Sequence, residues 1–207
     1  AFLMRKDFIF DFETIGQDVF QVPVINCSYY AFSWDRFLEN PYTFKELVDN
    51  VEYIKADIQE QVETYKYKYK KDDLDFWISQ PKKVQSKIKP SKHDLKLKSF
   101  VQKMVDYIRV NGTISYWWSR SNTFDPILLY RIADDTGYKD EINELLKFWA
   151  VRDVRTFVDA KFNFKTKNGF VPISDEEYWN RNFQLHNSIH DVAADILRLQ
   201  TIYRVEN

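Results

Sequence analysis

Residues 5–16 read RKDFIFDFETIG, and their middle has the apolar, aromatic character of a strand buried in a sheet. That strand also carries two carboxylates, Asp11 and Glu13, two positions apart. Side chains alternate between the two faces of a strand, so both acids point the same way. Burying unpaired carboxylates is costly, and like charges side by side add to the cost. Whatever fold the chain adopts must bring a counter-charge to this strand end.

The remaining pattern sets the class. Residues 19–33, VFQVPVINCSYYAFS, predict a second strand, with Pro23 marking a bulge or an edge; TIGQD before it suits a hairpin turn. Thr43 and Glu46 have capping-box spacing and open a short helix. Residues 51–58 predict a third strand with weaker alternation. Further on, TYKYKYKK fits a strand, an exposed arm or a helix, and DLDFWISQ fits a helical turn that Pro81 ends. Leu97, Phe100, Val101, Met104, Val105 and Ile108 follow helical spacing within 94–110, with Ser91 and Asp94 as a cap and Asn111-Gly112 as the stop. TISYWW, 113–118, predicts a strand. Residues 125–137 predict a helix with Asp125 at the N-cap and Pro126 at its first position. Residues 139–149 and 152–160 predict two more helices, and DVAADILRLQTIYRV a closing one. Strands come first and then alternate with helices, so the expected class is α/β with a central mixed sheet flanked by helices.

The 207 residues fit one domain, 1–207, with a Lys/Tyr-rich insertion near 59–92. No apolar run approaches the roughly 20 residues that span a bilayer, and no leader is visible, so a cytoplasmic protein without membrane contact is expected. The single cysteine, Cys27, excludes an internal disulfide and reads as a small core residue. The net charge of −1 does not announce a polyanionic partner. Its distribution does: Lys66, Lys68, Lys70, Lys71, Lys82, Lys83, Lys87, Lys89 and Lys92 crowd one stretch, while acids cluster elsewhere. A basic surface beside an acidic centre suits a polyanion held near metal-binding carboxylates, and a plain solvated lysine face is the alternative.

Other acids also sit at element ends. Asp125 opens a helix just after the strand 113–118, and Asp191 lies near the start of the last helix. Open α/β sheets place sites where strand ends meet helix starts. Four converging carboxylates would repel strongly, and two divalent cations such as Mg²⁺ would remove that penalty. Each helix acid has a second reading: Asp125 before Pro126 as an N-cap, and Asp191, three residues after Ser188, as part of a capping box. Asp195, one turn beyond Asp191, is either near a cation or base or simply exposed. His186 precedes Asp191 by five residues, which places it on the loop entering the helix, where an imidazole can accept a proton from water. His190 reads as capping or packing, since a zinc site with His186 would need a continuous helix and a third ligand.

In order, FDFET, FDPILL and HNSIHD resemble the motifs of the DEDDh 3′–5′ exonucleases. The similarity is strongest to the exonuclease A type of T-even bacteriophages and the related RNase T-like exoribonucleases. TFKELV, FWISQPKKVQSKIKPS, SRSNTFDPIL and FWAVRDVRT extend it over most of the chain, whereas the Lys-Tyr arm at 64–71 is less like the family. The resemblance implies a ribonuclease H-like fold. It also implies Asp11, Glu13, Asp125 and Asp191 as ligands of two Mg²⁺ or Mn²⁺ ions, with Asp11 bridging them and His186 as general base. The expected activity is hydrolysis of single-stranded DNA from its 3′ end to nucleoside 5′-monophosphates, with RNA ends or short oligoribonucleotides as the alternative substrate. If phage-encoded, the protein would act in the bacterial host cytoplasm. Expected substrate contacts are Phe12 and Thr14 beside the strand acids, Trp77, Arg120, Asn122 and Phe124 before the third acid, and Arg152 as a phosphate ligand. The competing readings are packing for the aromatic residues and an ion pair with Asp153 for Arg152.

Overall fold

The computed structural model describes residues 5–206 except 164, 167, 172, 174 and 176–182. Its sheet has five strands: β1 (Lys6–Thr14), β2 (Val24–Ser33), β3 (Glu52–Lys55), β4 (Ile114–Ser119) and β5 (Val151–Asp153), in the order β3-β2-β1-β4-β5. β2 is antiparallel to β1 and to β3, whereas β4 is parallel to β1 and to β5. β1, β4 and β5 therefore end on one edge of the sheet, and the strand acids lie at that edge.

The period-2 alternation of β1 divides the molecule into layers. Phe8, Phe10 and Phe12 enter one core with α6 (Leu97–Val110) and α7 (Asp125–Thr136), and the Phe12 ring stacks on Phe100 at 6.3 Å. Ile9 enters the opposite core with Phe32, Trp118 and the closing helix, Ser188–Glu206. Asp7, Asp11 and Glu13 share the parity of Ile9 and so its face. Asp7, fully buried, is satisfied by ordinary means: its carboxylate accepts from the indoles of Trp34 (2.7 Å) and Trp118 (2.8 Å) and pairs with Arg5 at 3.6 Å.

The remaining helices among the described residues are α1 (Arg36–Glu39), α2 (Phe44–Asn50), α3 (Ile58–Thr64), α4 (Lys71–Ser79), α5 (Lys82–Gln85), α8 (Lys139–Leu145) and α9 (Val154–Lys161); the closing helix is α10. α2 starts as its sequence predicts, with the Thr43 hydroxyl accepting from the Glu46 N–H. The Lys/Tyr-rich stretch is tied down at both ends. Trp77 of α4 and Val84 of α5 pack on Ile15 and Ile25, and Tyr67 is buried with its hydroxyl on Asp135. Residues 66–70 adopt neither helix nor strand, so of the readings open for TYKYKYKK none is a regular element.

Several boundaries differ from expectation. β2 begins at Val24 rather than 19, because the Asp18 carbonyl accepts from the N–H groups of Gln21 and Val22 and turns that segment back. The third strand is shorter than 51–58; it ends at Lys55, after which Ala56 bridges to Leu95. α6 starts at Leu97, since Asp94 closes a turn onto the Ser91 N–H and pairs with Lys55 instead of capping the helix. The helix predicted at 139–149 ends at Leu145 and gives way to a 3₁₀ turn at Phe148–Ala150. The one predicted at 152–160 begins only at Val154, because Val151–Asp153 pair with Trp117–Ser119 as an edge strand too short to show a period.

Candidate metal centre

The site is assembled around register pairs. Asp11 of β1 lies opposite Ser28 of β2, and Glu13 opposite Asn26. The Ser188 hydroxyl, at the start of α10, bonds the Asn26 side-chain oxygen at 2.8 Å and the Ser28 hydroxyl at 2.7 Å. These bonds pin the helix start over β2, so Ser188 is not engaged with Asp191 as a capping box. One turn on, Asp191 meets the strand pair, and carboxylate oxygens of Asp11, Glu13 and Asp191 all lie within 4.8 Å of one another.

Asp125 is not one of these three converging acids, but it is tied to the same strand. Phe124, not Asp125, occupies the N-cap of α7, and the Asp125 Oδ1 accepts the Phe12 backbone N–H at 2.9 Å. The N-cap expectation is thus corrected: a strand N–H between the two strand acids takes the bond that the helix N–H groups would have received. Asp125 is buried, and its charge acts on both Asp11 and Glu13.

The electrostatics register the crowding. Desolvation first, then Asp125, Asp191 and Glu13, push the Asp11 carboxyl well above its ordinary range. Desolvation and the charges of Asp191 and Asp125 push Glu13 up to about 8, with Lys87 opposing. Desolvation raises Asp125 to about 7 against the Phe12 N–H bond. Desolvation and Asp195 raise Asp191 to about 7 against Arg198, Arg120 and Lys87. Converging, poorly solvated carboxylate oxygens of this kind fit a hard divalent cation, which would relieve their mutual repulsion.

His186 lies on the loop before α10, with a left-handed φ of 61°. Its ring meets the neighbouring rings of Phe76 (5.6 Å) and Trp77 (6.3 Å) edge-on, and partial burial lowers its pKa below the ordinary 6.5. His190 points elsewhere: its Nδ1 accepts from the Gln184 N–H at 3.0 Å and its ring meets Phe44.

The other expected contacts divide. Trp77 is buried beside His186, and its indole donates to the Thr14 carbonyl at 3.0 Å. The Thr14 hydroxyl donates to the Gly16 carbonyl at 2.6 Å. Asn122 and Phe124 immediately precede Asp125; the Asn122 N–H donates to Asp153 at 3.0 Å, and its buried side-chain oxygen has no hydrogen-bond partner. Phe12 contributes only backbone here, because alternation sends its ring into the core, where no base can stack on it. The Arg120 guanidinium binds Asp195, donates to the Asn168 carbonyl and covers Phe170, so it is not free for substrate. Arg152 lies over the Tyr116 ring at 4.1 Å and donates to the carbonyls of Trp149 and Val151. Its backbone pairs with Trp118, but its guanidinium turns back over Tyr116, two residues earlier on β4, where those contacts commit it.

Sequence reasoning left Asp195 open to being exposed, yet it is buried and bonded to both Arg120 and Arg198. Its helical spacing from Asp191 and the presence of Arg198 three residues on were the available signal. Lys87 was one of nine similar lysines. Only the fold singles it out as half-buried and facing Glu13 and Asp191.

A family profile described as "3′-5′ exoribonuclease Rv2179c-like domain" matches residues 6–202. The chain belongs to this family. A curated relative of this family member, the exodeoxyribonuclease of Enterobacteria phage T4, is 31% identical over 221 residues, covering 96% of this chain and 89% of that protein. Among solved structures, a zinc-bound E. coli exonuclease I–single-stranded DNA complex superposes with a TM-score of 0.67 at 11% identity, over 98% of this chain and 41% of that one. Exonuclease I of Methylocaldum szegediense gives 0.63 at 12% identity, over 97% and 40%. The family member described here thus spans less than half of those larger proteins and shares their ribonuclease H-like fold, as expected from its sequence. Its family is one of 3′–5′ exonucleases acting on nucleic acid, and its carboxylate cluster can hold metal. No helix among the described residues is long and apolar enough to cross a membrane.

Proposed function

We propose that this protein is a metal-dependent exodeoxyribonuclease that removes nucleoside 5′-monophosphates from the 3′ end of single-stranded DNA. Asp11, Glu13, Asp125 and Asp191 hold two Mg²⁺ or Mn²⁺ ions, and His186 is the general base. The convergence of Asp11, Glu13 and Asp191 oxygens within 4.8 Å carries the reading. When bound, the ions neutralise the carboxylates and stabilise charge that builds on the phosphodiester oxygens. His186, with its pKa below 6.5, is neutral at pH 7 and able to take a proton from the attacking water. Phe76 and Trp77 hold its ring, and the Trp77–Thr14 bond ties that wall to the strand of Glu13. Asn122 and Phe124, just before Asp125, are the proposed contacts for the terminal nucleotide.

The full-length similarity to the phage T4 exodeoxyribonuclease favours DNA. The family description favours a second reading, an exoribonuclease acting on RNA ends or short oligomers. Both use the same centre and differ in how the 2′-hydroxyl is treated. The deciding experiment incubates the protein with 5′-labelled DNA and RNA single strands of matched sequence, with Mg²⁺, Mn²⁺ or EDTA. Stepwise shortening of DNA with metal, and none in EDTA, is expected. Preferential shortening of RNA would select the second reading, and no shortening of either would end both.

A further inference from the structure

A groove of about 790 Å³ opens along β3 and the 86–95 loop; none of the four site acids lines it. Tyr53 and Lys55 of β3 line one side, and Ile189, two residues before Asp191, lines another. Register places Tyr53 and Lys55 on the same sheet face as the acids, whereas Ile54 and Lys103 of α6 belong to the other side, so the groove runs round the β3 edge. Asp11 pairs across to Ser28 and Ser28 to Tyr53; Glu13 pairs to Asn26 and Asn26 to Lys55. Tyr53 therefore lies two strands from Asp11, about 10 Å away at ordinary strand spacing.

The groove is basic. Lys55, Lys87, Lys89 and Lys103 line it against a single carboxylate, Asp94, which Lys55 already neutralises at 3.0 Å. Lys89 and Lys103 are exposed and are the groove's uncommitted charges. Lys87 joins the two sites: it lines the groove, stands 6.0 Å above the Tyr53 ring, and faces Glu13 and Asp191. A cation charge balance of this kind, continuous with a centre for phosphodiester chemistry, fits a polyanion extending out of that centre.

We infer that this groove is the track for the single strand behind its 3′ end, with Lys87 contacting the phosphate nearest the centre and Lys89 and Lys103 contacting phosphates further along. The inference rests on the exonuclease reading for its direction but makes its own claim, that a backbone of several nucleotides lies along β3 and the 86–95 loop. Contacts of this kind are made to phosphates, so affinity grows with strand length and falls with salt, whatever the base sequence.

The test uses the double variant K89E/K103E. Both side chains are exposed, and a thermal melt matching the unsubstituted protein establishes that the fold is intact. Binding of a fluorescent 12-nucleotide single strand is followed by anisotropy in Ca²⁺ across a salt series. Cleavage of the 12-mer and of a dinucleotide is followed in Mg²⁺. The variant is expected to bind the 12-mer at least tenfold more weakly, with a salt slope shallower by about 1.4, the share of two single-strand phosphates. Its KM should rise far more for the 12-mer than for the dinucleotide. Unchanged 12-mer affinity and slope, or an equal KM penalty at both lengths, would overturn the track. If the unsubstituted protein binds the 12-mer and the variant loses that binding and slope, but the unsubstituted protein cleaves nothing, the exonuclease reading fails and the groove stands.

Discussion

The indole N–H of Trp77 donates to the carbonyl of Thr14 at 3.0 Å, which ties α4 to the residue beside Glu13. The same indole borders His186, so one buried side chain supports both the proposed base and a proposed ligand strand. Trp77→Phe keeps a ring but leaves the Thr14 carbonyl unsatisfied. A loss of about 1–3 kcal/mol in urea unfolding is expected. Turnover should fall by about tenfold or more as the wall that holds His186 loses its tie to the strand of Glu13. Unfolding and turnover both unchanged would remove Trp77 from this role.

Asp11→Asn separates function from stability. It removes one charge from the repelling cluster, so the metal-free protein should melt at a higher temperature than the unsubstituted one in EDTA. Turnover in Mg²⁺ should fall by about 10³, some 4 kcal/mol of lost transition-state stabilisation. A lower melting temperature in EDTA would show that Asp11 is not held under repulsion.

The raised carboxyls make the metal-free fold sensitive to base. Glu13 is pushed up to about 8, and Asp125 and Asp191 to about 7, from ordinary values near 4. Each binds its proton more tightly folded than unfolded, so the folded state holds more protons between about pH 4 and about pH 8. Stability must fall as pH rises through that window and level off above it. Melting in EDTA at pH 5.5 and 8.5 should show the fall, and saturating Mg²⁺ should abolish it. A melting temperature that climbs with pH in EDTA would contradict the clustering.

Asp195 has the opposite balance, one buried carboxylate between two guanidiniums. Asp195→Ala would remove the buried carboxylate that both Arg120 and Arg198 bind, at a cost of about 3–5 kcal/mol measured by urea unfolding. A cost below about 1 kcal/mol would mean that the arginines find other partners.

His186 occupies a left-handed backbone conformation, with φ at 61°. Glycine adopts that conformation freely and alanine does not. Both His186→Gly and His186→Ala should lose most turnover, but the glycine variant should unfold later, by about 1 kcal/mol. If alanine proves the more stable, the loop relaxes on substitution and its geometry is not imposed by the fold.

Much of this was legible in one dimension because it depends on short-range rules. Asp11 and Glu13 share a face through the two-residue period of a strand alone. The core face of α6 follows from the spacing of Leu97 to Ile108, and all six residues are buried. The place of His186 outside α10 follows from its angular mismatch with Asp191 on a helix. Short elements were not legible: the three residues of β5 hold their place by pairing with β4, a contact that no local pattern announces.

The chain alone settled which acids share a strand face and which face of α6 enters the core, because backbone periodicity is local. Tertiary packing alone decided which charges meet. Ser188 bound to Asn26 and Ser28 carries Asp191 to the strand pair, Phe12 turns Asp125 from a cap into a neighbour of the acids, and Asp195 takes Arg120 out of solvent. It also singled out Lys87 from nine similar lysines, because the charge a side chain feels depends on distances through space that no spacing along the chain encodes.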